Sequence, residues 1–209
     1  MKLMLTSAGI TNTSLALALQ KLVQRKIKIA FIPTAANVQS GEKDWLIKNY
    51  NECEKLGSVD IVDISALKKS IWLPRLKKAT VLVMGGGNTP YLMDCIKYSG
   101  LQEELPRLLK TRIYVGISAG SIVTGKNLVA SSTFLYSDEK KNIPKGLGYV
   151  PFYVRSHLNS PDFPQMRDMY LKKASKKLDS DLYALDDASA LIYIDGKIKI
   201  VSEGTWKKY

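Results

Sequence analysis

The amino-acid sequence predicts an α/β protein, a three-layer αβα sandwich with a mostly parallel central sheet, on three observations. Apolar, β-branched runs recur at residues 3–5, 27–32, 59–64, 81–84 and 113–115. Turn residues bound each run, as they bound buried strands. Helix-like segments lie between the runs, and this alternation is what covers a parallel sheet on both faces.

Taken in order, the run at 3–5 leads into the turn Thr6-Ser7-Ala8-Gly9. Residues 13–25 carry Leu15, Leu19, Leu22 and Val23 at helical spacing, and Trp45, Leu46, Tyr50, Cys53 and Leu56 mark a second amphipathic helix. After Gly120 the rhythm changes. A polar segment at 137–145 reads as a loop and candidate lid, residues 152–154 as a strand, 163–176 as a helix and 182–185 as a further strand. Asp195-Gly196 between the alternating runs 190–194 and 197–201 predicts a closing hairpin.

At 209 residues, with 45% hydrophobic and 24% charged side chains, the chain has apolar surface for one sizeable core. Its length, without internal repeat or linker, favours a single domain over residues 1–209. No stretch approaches the roughly 20 apolar residues of a membrane-spanning helix, and the start turns too early for a secretory signal. A cytoplasmic location is the expectation, with no membrane partner. Cys53 and Cys95 stand outside any metal-ligand pattern and read as free thiols. With His157 as the one histidine, a site built from several histidine ligands is excluded, and neither metal nor organic cofactor is expected. The net charge of +12 could attract nucleic acid. The lysine pairs behind it are scattered, however, and lack interleaved aromatics, so a solvated basic surface is the reading and nucleic acid is not an expected partner.

The chemistry gathers at a few turns. Gly116-Ile117-Ser118-Ala119-Gly120 sets a serine between small residues where a buried strand meets a helix, which is a nucleophile elbow by sequence. The tight turn demands small neighbours, and the helix start that follows favours developing negative charge at Ser118. A second turn, Gly85-Gly86-Gly87-Asn88-Thr89-Pro90, follows the run at 81–84, with Thr89 as the expected cap of the next helix and Pro90 at its first position. It is not the dinucleotide fingerprint, since a third glycine would have to stand where Pro90 is. Amides of Gly86, Gly87 and Ala119 are the candidate oxyanion donors. A serine needs a base, and His157 is the sole candidate imidazole. The orienting carboxylate has three candidates: Asp186 and Asp187, which end an apolar run, and Asp138, which the chain order of typical α/β-hydrolases would select.

On Gly85-Gly86-Gly87-Asn88-Thr89, Gly116-Ile117-Ser118-Ala119-Gly120, His157 and Leu185-Asp186-Asp187-Ala188-Ser189-Ala190-Leu191, the chain resembles the aspartyl dipeptidase (peptidase E) family. That family includes the cyanophycinases and is similar in fold to class I glutamine amidotransferases. The resemblance, in order and approximate spacing, covers nearly the whole chain. It implies a class I glutamine amidotransferase-like fold and a serine peptidase acting on short peptides with an acidic first residue, with the acid after the histidine, which favours Asp187. The family's acid is typically glutamate. Aspartate is one methylene shorter, so that help from Asp186 or a shifted backbone is expected here. Asn88, Arg155 and Arg167 are candidate substrate-binding residues, a guanidinium being able to hold a carboxylate with two hydrogen bonds.

With the resemblance, the expectation is a serine peptidase working through Ser118, His157 and Asp187, with a short peptide as its partner and homo-oligomerisation left open. The rival reading is a non-catalytic, amidotransferase-like protein that uses the same turns to bind a small anion.

Overall fold

The computed structural model describes residues 1–137 and 142–209. Five strands, β1 (Lys2–Thr6), β2 (Lys28–Ile32), β3 (Ser58–Ile61), β4 (Val81–Met84) and β5 (Ile113–Ile117), pair in parallel. The strands β8 (Ser189–Ile194) and β9 (Lys197–Ser202) add an antiparallel hairpin beside β1, through the Asp195-Gly196 turn. The sheet order is β3-β2-β4-β5-β1-β8-β9, which puts β5 in the middle.

Successive residues of the parallel strands are buried on opposite faces. Leu3, Leu5, Ala30, Ile32, Leu82, Met84 and Tyr114 share one core with Trp72, Leu76, Leu92 and Ile96. Met4, Ile29, Phe31, Val81, Val83 and Val115 share the other with Leu15, Leu19, Val23 and Cys53. Both faces are therefore covered, and the three-layer sandwich follows from central strands whose inner residues are apolar on both faces. Helices α1 (Thr13–Val23) and α2 (Asp44–Glu54) supply the second core. Helices α3 (Lys69–Lys78), α4 (Thr89–Tyr98), α5 (Leu101–Leu108) and the single turn α6 (Ala119–Ile122) supply the first.

A second sheet of three strands, in the order β10-β7-β6, is built from β6 (Tyr153–Arg155), β7 (Leu182–Leu185) and β10 (Trp206–Lys208). It carries the histidine segment. Strand β6 pairs in parallel with β7, so the chain that leaves Arg155 and the chain that leaves Leu185 emerge on the same side, at His157 and Asp187.

The elements depart from the sequence reading where polar or imino groups intervene. The strand expected at 59–64 ends at Ile61, because Asp63 turns inward to accept from Thr34, Asn37 and Ser65. Helices α3 and α5 have no clear sequence boundary, since Pro74 and Pro106 interrupt the apolar spacing inside them. The single helix expected at 163–176 is a 3-10 turn, Pro164–Met166, followed by α7 (Asp168–Ser175), with Arg167 in an extended conformation between them. Asn88, not Thr89, caps α4: its side chain accepts the Tyr91 amide, which moves Pro90 to the second helical position. Of the candidate lid at 137–145, residues 138–141 lie outside the described residues, and Asp138 with them. Among the described residues no helix is long and apolar enough to cross a membrane.

Candidate active site

Ser118 follows the last residue of β5, at the centre of the sheet's carboxyl edge. Its backbone lies at φ 46° and ψ −104°, in the left-handed half of the map that side chains rarely occupy, and strain of this kind persists only where the surroundings over-determine it. Here they do. The Ser118 amide donates to the Thr6 carbonyl at 3.1 Å, and its carbonyl accepts the Ser121 and Ile122 amides at 2.8 and 3.0 Å. Ser121 adds a hydroxyl bond to the same Thr6 carbonyl at 2.8 Å. The flanking glycines are a steric necessity: a Cβ on Gly120 would stand 2.0 Å from the Met84 carbonyl oxygen, and one on Gly116 would stand 2.6 Å from that of Gly120. The helix that follows is one turn, ended as Thr124 bonds the Ser121 carbonyl. Any anion stabilisation there comes from local amides, not from the long helix dipole that the sequence suggested.

His157 reaches this serine from the second sheet. Its Nε2 stands 3.1 Å from Ser118 Oγ, and its Nδ1 stands 2.7 Å from Asp187 Oδ1. A carboxylate only accepts, so Nδ1 carries the proton and Nε2 is left as an acceptor for the serine hydroxyl. The imidazole stacks on the Phe163 ring, with centroids 4.2 Å apart at 17°. His157 itself sits at φ 66°, and the bonds from the Leu158 amide to Leu185 and from the Ser160 amide back to His157 hold that turn.

Asp187 lies in the turn between β7 and β8, where it reaches the imidazole without help from Asp186. Burial pushes its carboxyl upward, but the hydrogen bond to His157, the attraction of that ring and the hydroxyls of Ser7 and Ser160 outweigh it, so its pKa falls below the usual carboxylate value. The shorter aspartate is served by the loop after β1. Thr11 donates to the Asp187 carbonyl at 2.7 Å and Asn12 to the Ala188 carbonyl at 3.0 Å, drawing the turn toward the site. Asp186 points elsewhere: its oxygens accept from the Ala188 amide, the Ser189 hydroxyl and the Thr205 amide, which tie the turn to the approach of β10.

Sequence reasoning missed Ser7. Its hydroxyl donates to Asp187 Oδ1 at 2.7 Å and accepts the His157 main-chain amide at 2.8 Å. The signal that could have found it is topological: Ser7 follows β1, which neighbours the serine strand, and ligands and catalysts gather beyond the carboxyl ends of such strands. Phe163 was likewise read only as the start of a helix.

Of the candidate oxyanion donors, Gly86 lies against the serine: a Cβ there would stand 3.5 Å from Ser118 Cβ. Among the described residues neither the Gly86 nor the Gly87 amide has an acceptor, so both remain available. Gly87, at φ 132°, is pinned by close approach to the Ala35 carbonyl. Asn88 is committed to capping α4, and its amide to Ala35. Arg155 is turned inward, 3% exposed, with its guanidinium on the Ala130 carbonyl, the Ser132 hydroxyl and Met166 Sδ; burial lowers its pKa to about 10. It is placed to tie β6 to residues 130–132 and to Met166, and its guanidinium is not open to a substrate. Arg167 is exposed and lines a groove with Tyr136, Pro164, Gln165 and Tyr170. Among the described residues no group of His, Cys, Asp and Glu is arranged to hold a metal ion.

A parallel sheet with a strained serine at its carboxyl edge, within hydrogen-bond reach of an imidazole that a carboxylate orients, is an arrangement shared with α/β hydrolases. The chain belongs to Peptidase family S51, whose model matches residues 3–201. It is 26% identical over 174 residues to an uncharacterised peptidase of Listeria monocytogenes, covering 81% of this chain and 82% of that one. It is 28% identical over 185 residues to a peptidase E of Nostoc, covering 85% and 74%. In fold it is similar to the crystal structure of a putative peptidase E from Listeria monocytogenes, with a TM-score of 0.80 at 21% identity over 97% of this chain and 98% of that one.

Proposed function

We propose that this peptidase is a serine peptidase that removes the first residue from short peptides, with aspartate preferred at that position. One observation carries the reading: an unbroken line of hydrogen bonds runs from Asp187 through both nitrogens of His157 to the hydroxyl of a backbone-strained serine. In this reading His157 takes the Ser118 proton as Oγ attacks the scissile carbonyl. The oxyanion forms against the amides of Gly86, Gly87 and Ala119. The imidazolium, steadied by Asp187, then gives its proton to the departing amine, and an acyl-enzyme remains on Ser118. Water, deprotonated by the same imidazole, attacks that ester and frees the acid.

The preference for aspartate rests on the family resemblance and on relatives named peptidase E, supported by the cationic character of the chain and by exposed Arg167 beyond Phe163. Two measurements test it. A fluorophosphonate should label wild type on Ser118 and leave Ser118→Ala unlabelled. Dipeptides with acidic, neutral and basic first residues should be cleaved in that order of efficiency, and turnover retained by Ser118→Ala or His157→Ala would end the proposal.

A further inference from the structure

Trp45 belongs, by its spacing, to the apolar stripe of α2, yet it is 37% exposed while Asn49 and Cys53 on the same stripe are buried. The reason is its place. Asn49 docks α2 onto the loop after β1 by donating to the Ala8 carbonyl at 2.7 Å, and Trp45 lies one turn further toward the N-terminus of α2. Its ring edge meets the glycine turn after β4. The point that a Cβ on Gly86 would occupy is 3.7 Å from Trp45 Cζ3 and 3.5 Å from Ser118 Cβ, so that the aromatic ring and the nucleophile border the same space beside Gly86.

The side on which it stands decides what it can touch. His157 is tied to Ser7 after β1 and Asp187 before β8, whereas Trp45 borders the turn after β4, on the other flank of β5. In acyl transfer the departing amine must face the imidazole that protonates it, and the carbonyl oxygen must face the amide donors. A wall next to the donors and away from the imidazole borders the acyl half of the substrate. We infer that Trp45 is a specificity-determining residue whose ring packs against the first residue of the peptide, the one whose carbonyl is attacked. Its exposed face offers apolar contact to that residue and a π-surface to its free α-ammonium. This rests on the serine peptidase reading given above.

The test is a matrix of dipeptides varied separately at the first and second residue, measured on wild type, Trp45→Phe and Trp45→Ala. Wild-type turnover abolished by Ser118→Ala checks the underlying reading, and its absence would defeat that reading and not the role of Trp45 alone. Given such turnover, Trp45→Ala should lower kcat/KM about tenfold on the best first residue, in line with the loss of one aromatic contact. It should also reorder the first residues while leaving the ranking of second residues as it was. Trp45→Phe should recover most of the loss. A second readout is the intrinsic fluorescence of Ser118→Ala in a Trp206→Phe background, which leaves Trp45 and the fully buried Trp72 as its tryptophans; it should change on adding peptide and stop changing when Trp45→Phe is added. First-residue preferences unaltered in Trp45→Ala, or an altered second-residue ranking, would overturn the inference.

Discussion

The Ser7 hydroxyl donates to Asp187 Oδ1 at 2.7 Å, joining the end of β1 to the turn before β8 across 180 residues of chain. Ser7 Oγ also accepts the His157 main-chain amide, so one small side chain sets the spacing of two members of the proposed triad. Ser7→Ala should lower kcat by roughly threefold to tenfold with little change in KM, since it disturbs positioning and leaves substrate contacts alone. It should also move the acid limb of the stability–pH profile upward, because one of the groups that hold the Asp187 carboxyl low is gone. Ser7→Thr, which keeps the hydroxyl, should restore the limb. An unmoved limb in Ser7→Ala would show that the hydroxyl only fills space.

Asp187 gives a prediction for stability against pH. Its folded pKa lies below the unfolded value of about 3.9, so its contribution is fully present above pH ~4 and is lost as pH falls through the folded value. The difference in Tm between wild type and Asp187→Asn should therefore be largest near neutrality and shrink below about pH 4. The same variant should lose on the order of 10³ to 10⁴ in kcat, because an amide no longer selects the Nδ1–H tautomer. A Tm difference independent of pH would contradict the ionised carboxylate.

Backbone strain at Ser118 can be weighed by substitution. At φ 46° and ψ −104° a Cβ is unfavourable, so Ser118→Gly should be at least as stable as Ser118→Ala and more stable by about 1 kcal/mol if the strain exceeds the glycine's added freedom in the unfolded chain. Both should be inactive. Urea midpoints of the two variants decide the point, and a Gly variant clearly less stable than the Ala variant would place the strain elsewhere.

Two glycines separate chemistry from packing. Gly86→Ala meets no atom closer than 3.5 Å, so it should fold as wild type does, yet put a methyl between Trp45 and Ser118 and cut kcat/KM by about tenfold or more. Gly120→Ala forces a Cβ to 2.0 Å from the Met84 carbonyl oxygen, backbone that cannot move without shifting β4. It should cost roughly 3 kcal/mol or fail to fold. Denaturation midpoints and activity together distinguish the two classes, and equal stability of both variants would refute the distinction.

By itself the sequence determined what depends on local chemistry. Apolar runs that do not alternate with polar residues require cover on both faces, and so the αβα sandwich was legible; so were the Asp195-Gly196 hairpin and the tight turn at Ser118, because glycine placement and strand flanks are properties of a few adjacent residues. A single histidine left no alternative base among imidazoles. What only the tertiary structure decided is what depends on contacts between distant segments. The choice between Asp186 and Asp187, neighbours in the same turn, is made by the loop after β1, whose Ser7, Thr11 and Asn12 draw one toward His157 while Thr205 and Ser189 hold the other. The inward turn of Arg155 and the outward placement of Trp45 were hidden for the same reason: periodicity tells which face of an element a side chain occupies, but not where along that face the neighbouring sheet ends.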